Sequence, residues 1–278
     1  MPTLRRKQAL IDASRPTYRS GYPVEWEEMK ARCRPLAHSV AIRECAYLSE
    51  EYRHRWRAQA KIMVKLDDVL QVLRKKKIPF VLTGAYGISG WLGRPRSTHD
   101  VDILVRSGRN HARAVKALSE HYPGLEVRRF PGLTAFCVPG EAESVIDVSF
   151  PNRLDNQATL ATAIWVEERG QRYRIPTLEA ALANKHGAMV ALGRDAGKRG
   201  QDAVDFYTMV KHSLDEGRQP IDLDKLADLG ELGWSGGGGA EILRLVEEAK
   251  AGHMPTFSYP PKSYPPKKAN GAKKNGGA

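Results

Sequence analysis

The stretch that most constrains this chain is VLTGAYGISGWLGRPRSTHDVDILV, residues 81–105. It begins as a short apolar strand, breaks at Gly84 and ends in an alternating strand that carries Asp100 and Asp102. Side chains two residues apart lie on one face of a strand, so the two carboxylates lie side by side while the apolar residues between them face the core. Such a pair is stable when a divalent cation lies between the carboxylates, and oxygen ligands favour magnesium or manganese. The alternative is a pair of solvated acids at an exposed strand end.

A third carboxylate lies in the segment SVIDVSF, residues 144–150, where Asp147 interrupts an apolar strand. A carboxylate in that position is costly unless it is paired or bound to a cation. If this strand lies beside VDILV, Asp147 reaches the same ion as Asp100 and Asp102. A solvated outer face of the strand is the alternative.

Small residues follow the first strand in LTGAYG, where Gly84 and Ala85 permit close approach to the backbone. A glycine turn that enters a helix presents free N–H groups to a phosphate. The segment contains neither the GK[ST] of a Walker loop nor GxGxxG, so a nucleotide-phosphate site here is a hypothesis with weak support from the motif alone.

Two later helices each direct a charged residue inward. On the first, predicted over 178–192 with Thr177 as its cap, Lys185 falls within the apolar stripe. On the second, Asp202 lies one turn before Phe206 on the same inward face. A lysine and an aspartate that both point inward indicate either a polar cavity, in which the lysine contacts a phosphate, or a structural ion pair.

The hydrophobic periodicity predicts an α+β or α/β chain with a small mixed sheet. Predicted strands cover about 78–84, 101–106, 125–130, 133–138, 144–150 and 171–176. Predicted helices cover about 40–57, 59–77, 110–121, 178–192, 199–214 and 241–251, with a flexible segment at 233–240. The corresponding domain prediction is an N-terminal helical extension (1–58), a core (59–175), a helical section (176–254) and a disordered basic tail (255–278).

Composition limits the class of protein. The formal charge is +12, and five of the lysines lie after residue 255; the remainder carries about +7. This charge favours polyanionic partners such as nucleic acid or nucleotide phosphates, although a basic, soluble surface explains it equally well. Three cysteines without CxxC spacing predict free thiols. The sequence shows neither a signal peptide nor an apolar run long enough for a membrane span, so a cytoplasmic protein is expected.

Taken together, these residues resemble the nucleotidyltransferase superfamily of the polymerase-beta type, and within it the AbiEii-like toxins and related uncharacterised nucleotidyltransferases. The resemblance rests on TGAYGISGWLGRPRSTHDVDILV and on KHGAMVALGRDAGKRGQDAVDF, and it covers roughly residues 60–212. It implies a small mixed-sheet nucleotidyltransferase core with flanking helices.

The resemblance also implies roles for individual residues. Asp100, Asp102 and Asp147 would hold the catalytic Mg²⁺ or Mn²⁺. The residues implied in nucleotide binding are Gly84, Ala85, Arg96, Thr98 and Lys185. The implied catalytic set is Asp100, Asp102, Asp147, Lys185 and Asp202, with Asp202 positioning a substrate group or accepting its proton.

The function implied is metal-dependent transfer of a nucleoside monophosphate from a nucleoside triphosphate to an acceptor hydroxyl. An RNA 3′ end ranks first as the acceptor, ahead of a protein hydroxyl and a small molecule such as an aminoglycoside. A toxin-like protein of this branch would have an antitoxin protein as a partner. Two other hypotheses fit the sequence. One is a glycosyltransferase that uses the DVD motif, and the other is a non-catalytic protein of the same fold that binds nucleotides or nucleic acid.

Overall fold

The computed structural model describes residues 34–56, 64–94, 96–168, 171–191, 193–215, 217–234 and 236–256. Several sequence predictions concern residues outside these ranges: Cys33, Leu192, the start of the helix predicted from residue 59, and most of the basic tail.

The described residues form helices and strands in mixed order. The helices are α1 (Arg34–Trp56), α2 (Leu66–Lys75), α3 (Gly84–Ile88), α4 (Gly108–His121), α5 (Leu154–Thr162), α6 (Leu178–Met189), α7 (Ala196–Ser213), α8 (Leu223–Gly233) and α9 (Gly238–Lys250). The strands are β1 (Phe80–Leu82), β2 (Val101–Val105), β3 (Glu126–Phe130), β4 (Leu133–Cys137), β5 (Ser144–Ser149), β6 (Ile164–Glu168) and β7 (Gln171–Ile175). No helix in the described part of the chain is long and apolar enough to cross a membrane.

The main sheet has five strands in the order β1-β2-β5-β4-β3. The two central strands, β2 and β5, are parallel, and the other neighbouring pairs are antiparallel. This mixed sheet with helices before, between and after its strands confirms the α+β class that the sequence predicted.

One hydrophobic core lies between the sheet and the helices α2 and α4. It includes Leu73 of α2, Ile103 of β2, Leu118 of α4 and Ile146 of β5, each at most 1% exposed. A second core, built mainly from α6, α7, α8 and α9, surrounds Phe206. The chain therefore packs a sheet layer and a helical layer around separate cores, and α6 and α7 carry polar residues toward the sheet.

The last predicted strand lies outside the main sheet. The structure confirms a strand in QRYRIP, over Gln171–Ile175, and this strand, β7, pairs with β6 in a separate two-stranded sheet. The prediction omitted β6, α5 and α8. The strand β6 is short, and only Ala163 separates it from the end of α5, so its three apolar residues do not form a pattern distinct from that of the helix.

Helix boundaries also differ from the predictions. The helix predicted to reach residue 77 ends at Lys75, and Lys77 adopts a left-handed backbone conformation with φ of 49°. The segment 233–240 was predicted to be flexible, and this is wrong for Gly233, which ends α8, and for residues 238–240, which form the first turn of α9. Its glycines permit close packing, because a Cβ atom on Gly238 would overlap the carbonyl group of Gly230 on α8.

Candidate active site

A cleft of about 920 Å³ lies along the acidic strands β2 and β5 and is lined on its other side by α6 and α7. Every site residue that the sequence predicted lines this one cleft: Gly84, Ala85, Arg96, Thr98, Asp100, Asp102, Asp147, Lys185 and Asp202. Residues from six parts of the chain thus converge on a single surface.

Three aspartates form the acidic wall of the cleft. The parallel register of β2 and β5 places Asp102 directly opposite Asp147, so the adjacency that the sequence left open is confirmed. Asp100 precedes β2 by one residue. One carboxylate oxygen from each of Asp100, Asp102 and Asp147 lies within 4.8 Å of those of the other two.

The electrostatics of this group are unfavourable without a counterion. Burial, followed by the neighbouring carboxylates of Asp100 and Asp147, raises the pKa of Asp102 well above its usual range. Burial and the charge of Asp100 raise the pKa of Asp147 to about 6. Among the described residues, the buried Oδ1 atom of Asp147 has no hydrogen-bond partner. Three converging carboxylates, one of which has an unsatisfied buried oxygen, fit a divalent cation such as Mg²⁺ or Mn²⁺.

Two neighbouring residues shape the acidic wall. The hydroxyl of Thr98 donates a hydrogen bond to Oδ1 of Asp100 at 2.7 Å. Gly84 has φ of 57°, and a Cβ atom at this position would overlap the carboxylate of Asp102. The backbone N–H of Thr83 donates to the carbonyl oxygen of Asp102 at 2.9 Å, which holds the glycine turn against the strand. Glycine is therefore required at residue 84 by both conformation and space.

A buried network of ion pairs forms the opposite wall. Nζ of Lys185 lies 2.8 Å from Oδ1 of Asp202 and 2.7 Å from Oδ2 of Asp205. Arg194 contacts Asp202 at 2.6 Å, and Arg96 contacts Asp205 at 3.1 Å. The inward positions predicted for Lys185 and Asp202 are confirmed, since their side chains are 12% and 3% exposed.

Sequence reasoning did not assign Asp205 or Arg194 to the site. Asp205 lies three residues after Asp202 on the same helix, and this spacing was an available signal. Arg194 lies in the turn between α6 and α7, and we find no sequence pattern that marks it.

The two walls interact electrostatically. The charges of Lys185 and Arg194 oppose the rise in the pKa of Asp102, although they act more weakly than burial and the other two aspartates. The network contains three cationic and two anionic side chains, so it retains one net positive charge. The cleft therefore presents cation ligands on one side and a positively charged wall on the other.

Residues 65–155 match the family model described as aminoglycoside-2''-adenylyltransferase, which covers about a third of the chain. No curated protein sequence matches the chain.

Two solved structures show weak likeness. An antigenic nucleotidyltransferase-like protein from Paracoccidioides brasiliensis is 19% identical, with 67% of this chain and 90% of that chain covered and a TM-score of 0.40. Terminal uridylyl transferase 4 from Trypanosoma brucei with bound dUTP is 13% identical, with coverage of 76% and 73% and a TM-score of 0.29.

The matched residues 65–155 include the glycine turn and all three aspartates of the acidic wall. They do not include Lys185 or Asp202. The family match therefore does not extend to the helical wall of the cleft, which α6 and α7 form. The match supports a relationship to the nucleotidyltransferase superfamily over residues 65–155 of this chain.

Proposed function

We propose that this chain transfers a nucleoside monophosphate from a nucleoside triphosphate to an acceptor hydroxyl, in a reaction that depends on Mg²⁺ or Mn²⁺. The observation that carries the proposal is the placement of the Asp100, Asp102 and Asp147 carboxylates opposite the Lys185 network across one cleft. A metal-bound triphosphate requires both kinds of group, one for the cation and one for the phosphate oxygens.

Asp100, Asp102 and Asp147 are the residues that would hold the cation, through the converging oxygens described above. When bound, such a cation polarises the phosphate and stabilises negative charge on the attacking and leaving oxygens. The three aspartates would also fix the cation at one end of the cleft, beside the glycine turn at Gly84.

Arg96, Lys185 and Arg194 are suited to bind the triphosphate. Asp202 and Asp205 hold Lys185 in place, while Arg96 and Arg194 remain 30% and 39% exposed. Partly exposed guanidinium groups can approach phosphate oxygens and still keep an ion pair. Gly84 and Ala85 would add backbone contact from the opposite side.

In the proposed reaction, the oxygen of the acceptor hydroxyl forms a bond to the α-phosphorus. The bond from that phosphorus to the bridging oxygen of the β-phosphate breaks, and pyrophosphate leaves. Asp147 is the carboxylate best placed to take the hydroxyl proton, because its Oδ1 atom has no hydrogen-bond partner among the described residues. Asp202 is engaged by Lys185 and Arg194, so its role is to position the network and not to accept a proton.

We propose an RNA 3′ end as the acceptor. The formal charge of +12 supports a polyanionic acceptor, since basic proteins attract nucleic acid phosphates. The description of the matching family supports a second candidate, an aminoglycoside hydroxyl. That match covers the acidic wall and the glycine turn but not Lys185, Arg194 or Asp202.

The test incubates the protein with each of the four nucleoside triphosphates, labelled at the α-phosphate, and with Mg²⁺. One arm contains total RNA and another contains an aminoglycoside. Label in RNA supports the proposed acceptor, and label in the small molecule replaces it with the second candidate. Absence of label in every arm, or equal labelling by the Asp100→Ala/Asp102→Ala variant, overturns the proposed transfer.

A toxin role and an antitoxin partner remain proposals that follow from the AbiEii-like resemblance. Expression of the wild-type chain should arrest bacterial growth, and the Asp100→Ala/Asp102→Ala variant at equal abundance should not. Normal growth with abundant wild-type protein would remove the toxin role without affecting the proposed transfer reaction.

A further inference from the structure

The helix α1 lies outside the residues of the family match, yet it makes direct hydrogen bonds to the segment that leads into the acidic wall. The thiol of Cys45 donates to the carbonyl oxygen of Arg96 at 2.9 Å. The hydroxyl oxygen of Ser49 accepts a hydrogen bond from the backbone N–H of Thr98 at 2.9 Å. The helix therefore holds residues 96–98 at two points.

The two contacts come from one face of α1. Cys45 and Ser49 are four residues apart, so their side chains lie on the same side of the helix, about 6 Å apart along its axis. Only Ser97 lies between the two residues whose backbone groups they contact.

The orientation of the Ser49 hydroxyl is fixed. It donates its proton to the carbonyl oxygen of Cys45 at 2.6 Å, so its lone pairs face the N–H of Thr98. Ser49 and Cys45 are completely buried, and Thr98 is 8% exposed. Water therefore does not compete for these bonds, and loss of the serine oxygen would leave a buried N–H group without its partner.

The contact continues to the acidic wall. The side chain of Thr98 donates to Oδ1 of Asp100 at 2.7 Å, so the backbone position of Thr98 determines where this carboxylate lies. A continuous path leads from Ser49 through Thr98 to Asp100. Groups that orient a metal ligand through a hydrogen bond commonly change metal affinity or activity 10- to 100-fold when they are removed.

We propose that Ser49 is a positioning residue of the active site, which sets the Asp100 carboxylate for cation binding through Thr98. This inference rests on the proposed function, because it assumes that Asp100 is a cation ligand. The helix α1 is then part of the catalytic structure and more than a scaffold for the sheet.

The test compares Ser49→Ala with a matched variant, Ser89→Ala. Ser89 is equally buried and donates to the carbonyl oxygen of Tyr86 at 2.9 Å, and it does not line the cleft. Binding of Mn²⁺ to the full chain is measured by calorimetry, alongside the Mg²⁺ concentration for half-maximal transfer. Ser49→Ala should weaken cation binding by about tenfold or more, while Ser89→Ala should lower only the stability.

Further variants test the role of Ser49 if Ser49→Ala folds poorly. Ser49→Thr retains the hydroxyl oxygen and should recover most of the cation affinity. Thr98→Val removes the bond to Asp100 and keeps the backbone N–H. If Ser49 acts through Thr98, combining Ser49→Ala with Thr98→Val should weaken cation binding no further than Thr98→Val alone.

Two results overturn the inference: wild-type cation affinity in Ser49→Ala, or an equal loss in Ser89→Ala. The Asp100→Ala/Asp102→Ala variant separates this outcome from failure of the proposed function. If that variant loses Mn²⁺ binding and Ser49→Ala does not, the positioning role alone is wrong. If wild-type protein binds no Mn²⁺, the metal site itself is wrong and the inference falls with it.

Discussion

Asp147 shows how a single residue carries an energetic cost at the site. It interrupts the apolar strand β5, and burial together with the charge of Asp100 raises its pKa to about 6. An unperturbed aspartate ionises near 3.8. The stability that this group contributes is therefore fully present below pH 3.8 and is lost as the pH rises through about 6.

We expect Asp147→Asn to stabilise the protein in the absence of divalent cations, by about 1 to 3 kcal/mol at pH 7.5. The gain should vanish below pH 4, where the wild-type carboxyl group is protonated. Urea denaturation in EDTA at both pH values measures it, with the exposed Asp228→Asn on α8 as the control. Mg²⁺ should raise the melting temperature of the wild type and should not raise that of this variant. A destabilised Asp147→Asn protein at pH 7.5 would contradict the expectation.

Gly84 is constrained twice, by φ of 57° and by the proximity of the Asp102 carboxylate. Gly84→Ala should destabilise the protein by roughly 1 to 3 kcal/mol and displace Asp102, so nucleotide transfer should fall as well. Gly200→Ala is the control, because this glycine lies in α7 with nothing within 4 Å of an added Cβ atom. There the same substitution should be neutral or stabilising. Equal thermal stability of the two variants would argue against the close approach at Gly84.

At the scale of elements, the Lys185 network joins three parts of the chain. Lys185 belongs to α6, its partners Asp202 and Asp205 belong to α7, and Arg96 lies in the segment before β2. Because these carboxylates are almost completely buried, their stability depends on the cations beside them. The network thereby fixes the helical wall against the sheet.

Lys185→Met should destabilise the protein by about 3 to 5 kcal/mol, since it removes the cation that Asp202 and Asp205 share. Lys211→Met, at the other end of α7, should change the unfolding free energy by less than about 0.5 kcal/mol. Urea denaturation at neutral pH measures both. A small effect in both variants would show that the arginines alone balance the two carboxylates.

His186, next to Lys185 on α6, gives the helical layer a dependence on pH. It is 1% exposed, its Nε2 atom has no hydrogen-bond partner among the described residues, and burial lowers its pKa to about 4. An unfolded histidine titrates near 6.5. The unfolded chain thus binds an extra proton between these values, and stability is lost as the pH falls from 6.5 towards 4.

We expect His186→Leu to reduce this loss of stability by about 3 kcal/mol between pH 7 and pH 4. Denaturation at a series of pH values measures the slope of the unfolding free energy against pH. His121→Leu, which removes an exposed histidine at the end of α4, should leave the slope unchanged. An identical slope in wild-type and His186→Leu protein would place the acid sensitivity elsewhere.

At the scale of the whole molecule, charge is the property that bears on the acceptor. Five lysines follow residue 255 without an acidic residue among them. Lysines that neutralise RNA phosphates release counterions, so they make the affinity depend on salt with a slope of about 0.7 per contact for single strands.

A chain that ends at residue 256 should bind single-stranded RNA with a salt dependence that is weaker by up to about 3.5 logarithmic units per decade. Turnover of the triphosphate should be unchanged, because all the residues that line the cleft lie before residue 203. Fluorescence anisotropy at several salt concentrations measures the slope. An unchanged slope would show that the tail makes no phosphate contacts.

Local patterns predicted much of this protein. Alternation in VDILV placed Asp100 and Asp102 at the start of a buried strand, and periodicity turned Lys185 and Asp202 inward. The cap at Thr177 is also confirmed, by the N–H of Ala180 bonded to its hydroxyl at 3.3 Å. These features follow from the steric repeat of strands and helices and from hydrogen bonds between close neighbours in sequence.

Only the tertiary structure decided the contacts between distant residues. The register of β2 and β5 joined Asp147 to the other aspartates, packing paired Arg96 with Asp205, and α1 brought Ser49 to Thr98 across 49 positions. Short-range rules set the face on which a side chain lies, whereas its partner depends on how separate elements pack. For this chain, the sequence by itself determined which groups point inward, and the packing of sheet against helices determined which of them meet.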